Sequence, residues 1–349
     1  MPGRRRHRLF LAMIAAVVVS ATAISVGPAG ASDPGAFYRG KTVVMYVGYP
    51  PGGGYDIYAR VIARHLGRHI PGQPQVIVKN QPGAASMVLA NQLPAVLPQD
   101  GTAIATFARS IAMDRLLGRD GASYDPARFG WIGSANNEVS ICTVWHGLGL
   151  ASIADIMAQP IVFGANAAGS ESGVFPLILN NLLGARFKVV SGYPAANDLM
   201  MAMERGETQG RCGLTWSAAK TAYPEWIRDK KLVTVLQFAT ARHLELPDVP
   251  LVTDLARTAK ERQALELLLT QQTMGRPFAA PPNVPADRLA ALRAAFVRVM
   301  RDTELLAEAD RQQMEIQPVD GDTLQGIVTS MFKAPPDVIE AARDAIRPR

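Results

Sequence analysis

The chain has 349 residues, 48% of them hydrophobic, with 36 Lys and Arg against 30 Asp and Glu for a formal charge of +6. Arg4, Arg5, Arg6 and Arg8 account for four of those positive charges within the first few residues. Without that end the balance falls to +2 and no Lys/Arg cluster with interleaved aromatics remains, which argues against a nucleic-acid partner.

The arginines precede LFLAMIAAVVVSATAISV, an uncharged run over residues 9–26. PAGAS follows, with Ala29 and Ala31 in the small-x-small pattern of a signal-peptidase site. A positive end, an apolar stretch and a small-residue exit predict a secretion signal over residues 1–31, cleaved after Ala31, and hence a periplasmic protein. An uncleaved membrane anchor is the alternative, since eighteen apolar residues suffice to span. About 318 residues remain, enough for one large or two medium domains.

The mature part alternates short β-rich runs with helical patterns. TVVMYV (Thr42–Val47) reads as a buried strand, and from Tyr55 the period changes to that of a helix carrying Ile57, Val61, Ile62 and Leu66 on one side. The runs at residues 75–79 and 103–107 read as the next strands. A second series starts near Ser140, with strands at residues 141–145, 161–165, 187–190, 210–216 and 231–239. Helices are expected near 152–157, 171–183, 195–205, 286–300 and 334–346. That rhythm predicts an α/β protein with a mostly parallel sheet in each of two lobes, and a ligand cleft where strand carboxyl ends meet between them.

Loops of small residues stand at those strand ends. PPGGGYD carries Gly52, Gly53 and Gly54 but lacks the Gly-Lys-Ser/Thr of a phosphate-binding P-loop. Its backbone N–H groups can still meet an anion at a helix start, with Asp56 either capping the helix or bonding a ligand. NQPGAAS brings Ala84, Ala85 and Ser86 to a second junction, and Arg109 follows the third strand. In the second series GANAAGSES offers Gly169, Ser170, Glu171 and Ser172, and SGYPAAND places Tyr193 and Asp198 near another junction. Amides and hydroxyls in such loops suit a carboxylate, and Arg109 is the cation expected to pair with it. Glu171 opens a helix, where negative charge is favourable without any ligand. Tyr49, Tyr55, Trp145, Tyr193 and Trp216 are either stacking partners for a ligand or ordinary core and rim residues.

Catalytic and metal signatures are missing. There is no G-x-S-x-G and no H-E-x-x-H. His65 and His69 share a helix face with no acidic residue nearby in sequence, and His146 and His243 have no matching cluster. Neither enzymatic chemistry nor a metal or other cofactor is expected. Cys142 and Cys212 are the two cysteines, either bonded across a long loop or buried as separate thiols.

Read in order, KTVVMYVGYPPGGGYDIYARVIARHL, VIVKNQPGAAS, LPQDGTAIAT, GANAAGSES, DLMMAMERGETQGRCG, LELPDVPLVTDLA and APPNVPADRLAALRAAF resemble the periplasmic solute-binding proteins of tripartite tricarboxylate transporters, the TctC or Bug family. The likeness spans about residues 37–342. It implies a Venus-flytrap fold with lobe 1 at 32–137, lobe 2 at 138–239, and residues 240–349 returning to complete lobe 1. It also implies a small organic carboxylate as ligand, membrane permease subunits as partners, no cofactor, and a monomer. The family's pocket segments map to Tyr49 through Asp56, Gly83 through Ser86, Gly169 through Ser172, and Asp198. Glu171 stands in a loop where the family usually has small polar residues. Tricarboxylates, dicarboxylates and aromatic acids are all open as ligands, and a ligand-sensing module coupled to a membrane partner is the competing role.

Overall fold

The computed structural model describes residues 33–150, 152–166 and 169–348; the expected leader and its cleavage point after Ala31 lie outside the described residues. Among the described residues, no helix is long and apolar enough to cross a membrane.

Four strands come first: β1 (Thr42–Val47), β2 (Gln75–Asn80), β3 (Ala103–Thr106) and β4 (Gly130–Ser134). Five follow: β5 (Ser140–Trp145), β6 (Val162–Ala165), β7 (Lys188–Ser191), β8 (Gly210–Thr215) and β9 (Leu232–Phe238). The chain then adds β10 (Pro277–Ala280) and β11 (Val319–Asp320). They form two sheets, one in the order β11-β4-β10-β3-β1-β2 and one in the order β7-β6-β8-β5-β9. With helices packed on both, the architecture is the expected two-sheet α/β type.

Both sheets are mixed, not mostly parallel. β1 pairs in parallel with β2 and β3, and β6 with β7 and β8; the pairs β10–β3, β10–β4, β11–β4, β5–β8 and β5–β9 are antiparallel. The reason lies in the two connections between the sheets. The chain leaves the first sheet along β4 and returns along β10, so those neighbours run in opposite directions, with Pro277 opposite Ser134. At the second sheet β5 enters and β9 leaves, with Ser140 opposite Phe238. The connecting segments lie side by side. Ala135 N–H donates to the Arg276 carbonyl (3.0 Å), Gly275 N–H to Asn136 (3.1 Å) and Glu138 N–H to Gln272 (2.9 Å).

Register does the positioning that matters for function. Val47 is opposite both Asn80 and Thr106, so β1, β2 and β3 end at one edge and their following loops emerge together. Ala165 is opposite Ser191 in the second sheet, which does the same for β6 and β7. The helix Gly54–Leu66 returns the chain from β1 to β2, burying Tyr58, Ala59, Val61, Ile62 and Leu66 against the sheet.

The apolar interior continues between the halves. One cluster joins Phe107, Trp131, Phe163, Phe175 and Phe238 through buried residues of the helices Ala259–Leu269, Gly321–Met331 and Pro336–Ile346. Residues 240–349 thus serve both sides. β10, β11 and the helix Ala286–Val299 belong to the first sheet, while Pro336–Ile346 packs on the helices Glu171–Leu183 and Ala259–Leu269. Arg343 ties the same tail to the Leu116 carbonyl through Nη2 (2.7 Å).

Cys142 and Cys212 lie on the neighbouring strands β5 and β8, fully buried, and are joined in a disulfide with their Cα atoms 3.9 Å apart. The bond closes a chain segment 70 residues long. Constraining such a loop in the unfolded state is worth about 4 kcal/mol. Replacing both cysteines with alanine should lower unfolding stability by that order, read as a lower denaturant midpoint than the oxidised parent.

Candidate functional site

The turn after β1 is built by a buried acid. Gly52 adopts φ +86°, a conformation open to glycine and strained for other residues. Gly53 caps the helix that Gly54 begins. Asp56, 2% exposed, reaches back to accept the Gly52 N–H (2.8 Å) and also accepts from Asn80 Nδ2 (2.7 Å) and Arg60 Nε (2.9 Å). Asn80 in turn donates to the Tyr49 carbonyl (2.9 Å). Asp56 is therefore a tie within the turn, not a lining group. Burial is the largest influence on its carboxyl and opposes ionisation; the bonds from Arg60, Gly52 and Asn80 outweigh it and hold the pKa below the ordinary carboxylate value.

Strain marks the second loop. Ala84, Ala85 and Ser86 take φ of +45°, +53° and +75° in succession, and such non-glycine residues cost roughly 1–3 kcal/mol each unless their surroundings hold them. The hold comes from Ser86. Its hydroxyl donates to the Gly48 carbonyl (3.1 Å) and accepts the Ala108 N–H (3.1 Å), bracing the loops after β1 and β3. Ser86 is fully buried, while Ala85 faces the space between the halves.

That space is a cavity of about 450 Å³, a size suited to a small metabolite. From the first half Tyr49, Gly54, Tyr55, Ala85, Ala108, Arg109 and Ser110 line it, with Arg276 from the returning crossover. Asn166, residues 169–172, residues 194–196, Arg211, Gly213 and Thr215 line it from the second half. The rings of Tyr49 and Tyr55 stack at 4.8 Å and 10°. The Tyr55 hydroxyl accepts the Arg109 N–H (3.2 Å), and the Arg276 guanidinium lies 4.7 Å from the Tyr55 ring centre.

In the second half the helix Glu171–Leu183 starts at the cavity. The Ser170 and Ser172 hydroxyls are 2.8 Å apart, and Ser172 accepts the Asn166 N–H (3.0 Å). β8 can approach this helix start because Gly213 has no side chain: a Cβ there would lie 2.8 Å from the Ser172 nitrogen and from the Glu171 Cβ. The helix Ala196–Glu204 also begins at the cavity, while Asp198 turns away to accept the Ala195 N–H (2.9 Å) and is exposed. Tyr193 contributes its carbonyl to Asn166 Nδ2 (3.0 Å). Trp216 lies in a separate apolar cluster and donates Nε1 to Glu245 (2.6 Å). Of the sequence-derived candidates, Gly52, Gly53, Asp56, Ala84, Ser86, Tyr193, Asp198 and Trp216 are thus not among the lining residues.

Three arginines face the cavity, and their circumstances differ. Arg109 is buried and forms a bidentate pair with Glu171 through Nε and Nη2, with Nη2 also donating to Ser140 Oγ (3.0 Å). Burial, the largest influence, disfavours its charge, but Glu171 outweighs it and raises the pKa. Arg276 pairs with the buried Glu138 (2.9 Å). Arg211, on β8, has no carboxylate within ion-pair distance among the described residues; its Nη1 donates at 3.4 Å to the Ala196 carbonyl and its Nε has no partner. Of the three, Arg109 stands out in sequence at a strand end; Arg211 is marked only as an arginine inside the short strand GRCGLT, and Arg276 carries no signal.

No family model and no curated protein matches the chain. Solved structures do. A TctC solute-binding protein from Polaromonas matches at 19% identity and TM-score 0.65, covering 85% of this chain and 96% of that one. The periplasmic binding protein BugD matches at 18% identity and TM-score 0.64, covering 88% and 98%. MatC from Rhodopseudomonas palustris, with bound malate, matches at 18% identity and TM-score 0.60, covering 86% and 99%. The fold is that of the TctC and Bug periplasmic solute-binding proteins.

The Arg109–Glu171 pair joins the two halves, so each single replacement strands a charge. Arg109→Met and Glu171→Leu should each destabilise by about 3–5 kcal/mol, and the double variant by clearly less than their sum, as a double-mutant cycle by chemical denaturation will read. Asp56 gives a pH test. Its depressed pKa makes its stabilisation full above pH about 4 and lost as acid titrates the folded carboxylate. The gap in thermal midpoint between the parent and Asp56→Asn should therefore persist at neutral pH and shrink only below pH about 4.

Proposed function

We propose that this protein is an exported solute-binding receptor that captures a small organic carboxylate between its two halves and delivers it to permease subunits of a tripartite tricarboxylate-type transporter. The observation that carries the reading is the convergence of loops from both sheets on one cavity lined by hydroxyls, an amide, guanidinium groups and two helix N-termini. Such groups stabilise negative charge, the helix starts through their free N–H groups and their dipoles. The likeness in fold to solute-binding proteins, one of them carrying malate, supports the same assignment.

In this reading residues 33–134 and 277–331 form one lobe and residues 140–270, with the helix Pro336–Ile346 packed on them, the other, with 135–139 and 271–276 flexing as the hinge. The ligand binds main-chain and hydroxyl donors of both lobes and shifts the population toward closure, and the closed monomer presents its surface to the permease. The leader over residues 1–31 directs the protein to the periplasm. Binding occurs without turnover, metal or cofactor.

A thermal-shift screen of small organic acids, each beside its neutral amide, tests this. At a hundredfold excess over Kd a true ligand adds about 2.7 kcal/mol of stability, so at least one acid should raise the midpoint by several degrees while its amide does not. Equal shifts from amides, or none from any acid, would remove the carboxylate-receptor reading.

A further inference from the structure

Arg211 is the cavity's unanswered charge. It is 3% exposed and sits in the middle of a sheet, yet no acid neutralises it among the described residues. An arginine stays protonated at neutral pH even there, although burial pushes this one down to about 10. Burying an ion without a partner is costly, and a fold keeps such a group where something outside the chain answers it. Around it stand the starts of the 13-residue helix Glu171–Leu183 and the 9-residue helix Ala196–Glu204, neither capped by the side chain of its preceding residue.

We propose that Arg211 receives the ligand's carboxylate and that the cleft selects acids bearing a single negative charge. The inference rests on the carboxylate-receptor reading and narrows it. Of the three arginines in the wall, Arg109 is matched by Glu171 and Arg276 by Glu138, so one positive charge is left over. One carboxylate on Arg211 cancels it. A second carboxylate would find hydroxyls, the Asn166 amide and the helix starts, but no second unmatched cation, and near Glu171 a like charge. It lacks the counter-charge that the first carboxylate meets on Arg211, and neutral donors offset a buried charge less fully than a cation does.

Calorimetry on the mature protein at neutral pH tests this with hexanoate against adipate, benzoate against terephthalate, and the amides hexanamide and benzamide. In any pair that binds, the monoacid should be tighter than its diacid by roughly tenfold or more, and the amide should be weaker by a similar factor, as losing a charge-assisted bond predicts. Arg211→Met should abolish that binding while raising the thermal midpoint, because it removes an unpaired buried charge; Arg211→Lys should retain part of the preference. Diacids binding as tightly as monoacids would overturn the single-charge selection and leave the carboxylate receptor standing. A lowered midpoint for Arg211→Met, or unchanged binding, would overturn the role of Arg211. Failure of every acid, or amides binding as well as acids, would overturn the receptor reading and this inference with it.

Discussion

Everything at the site depends on strand register. Hydrogen bonding across a parallel pair allows discrete offsets only, and here the offsets bring the ends of β1, β2 and β3 level, with β6 and β7 level in the other sheet. Three loops from one sheet thereby face two loops and strand β8 of the other. A shift by one residue would turn Val43, Met45 and Val47 out of the core, so the apolar interior and the loop alignment enforce each other.

The loops then hold shapes their residues do not favour. The left-handed run at Ala84, Ala85 and Ser86 persists because the Ser86 hydroxyl braces it against Gly48 and Ala108. The glycine turn persists because Asp56 ties it to Asn80 and Arg60. Residues that resemble binding groups in sequence thus act one step removed, by fixing main chain that does face the cavity. Charge follows a similar logic: Glu171 and Glu138 neutralise two arginines inside the molecule and leave the third, Arg211, without an acidic partner among the described residues.

The secondary structure was legible to different degrees for identifiable reasons. Runs such as TVVMYV and KLVTVLQF announce strands through continuous β-branched and apolar residues. GWIGS, bounded by glycine and serine, PFAA, opened by proline, and the two-residue VD carry no such signal and become strands only because a neighbour's edge accepts them. The mixed pairing was hidden for a related cause: strand direction depends on where the crossovers enter and leave, and that is a property of the whole chain.

The sequence by itself determined the α/β alternation and which small-residue loops stand at strand ends, because these follow from local periodicity and composition. Tertiary structure alone decided which side chains answer one another. Arg109 and Glu171 are 62 residues apart, and Arg276 and Glu138 come from separate crossovers. Whether an arginine is neutralised or left open is a matter of distance in space, and a linear pattern does not encode that distance.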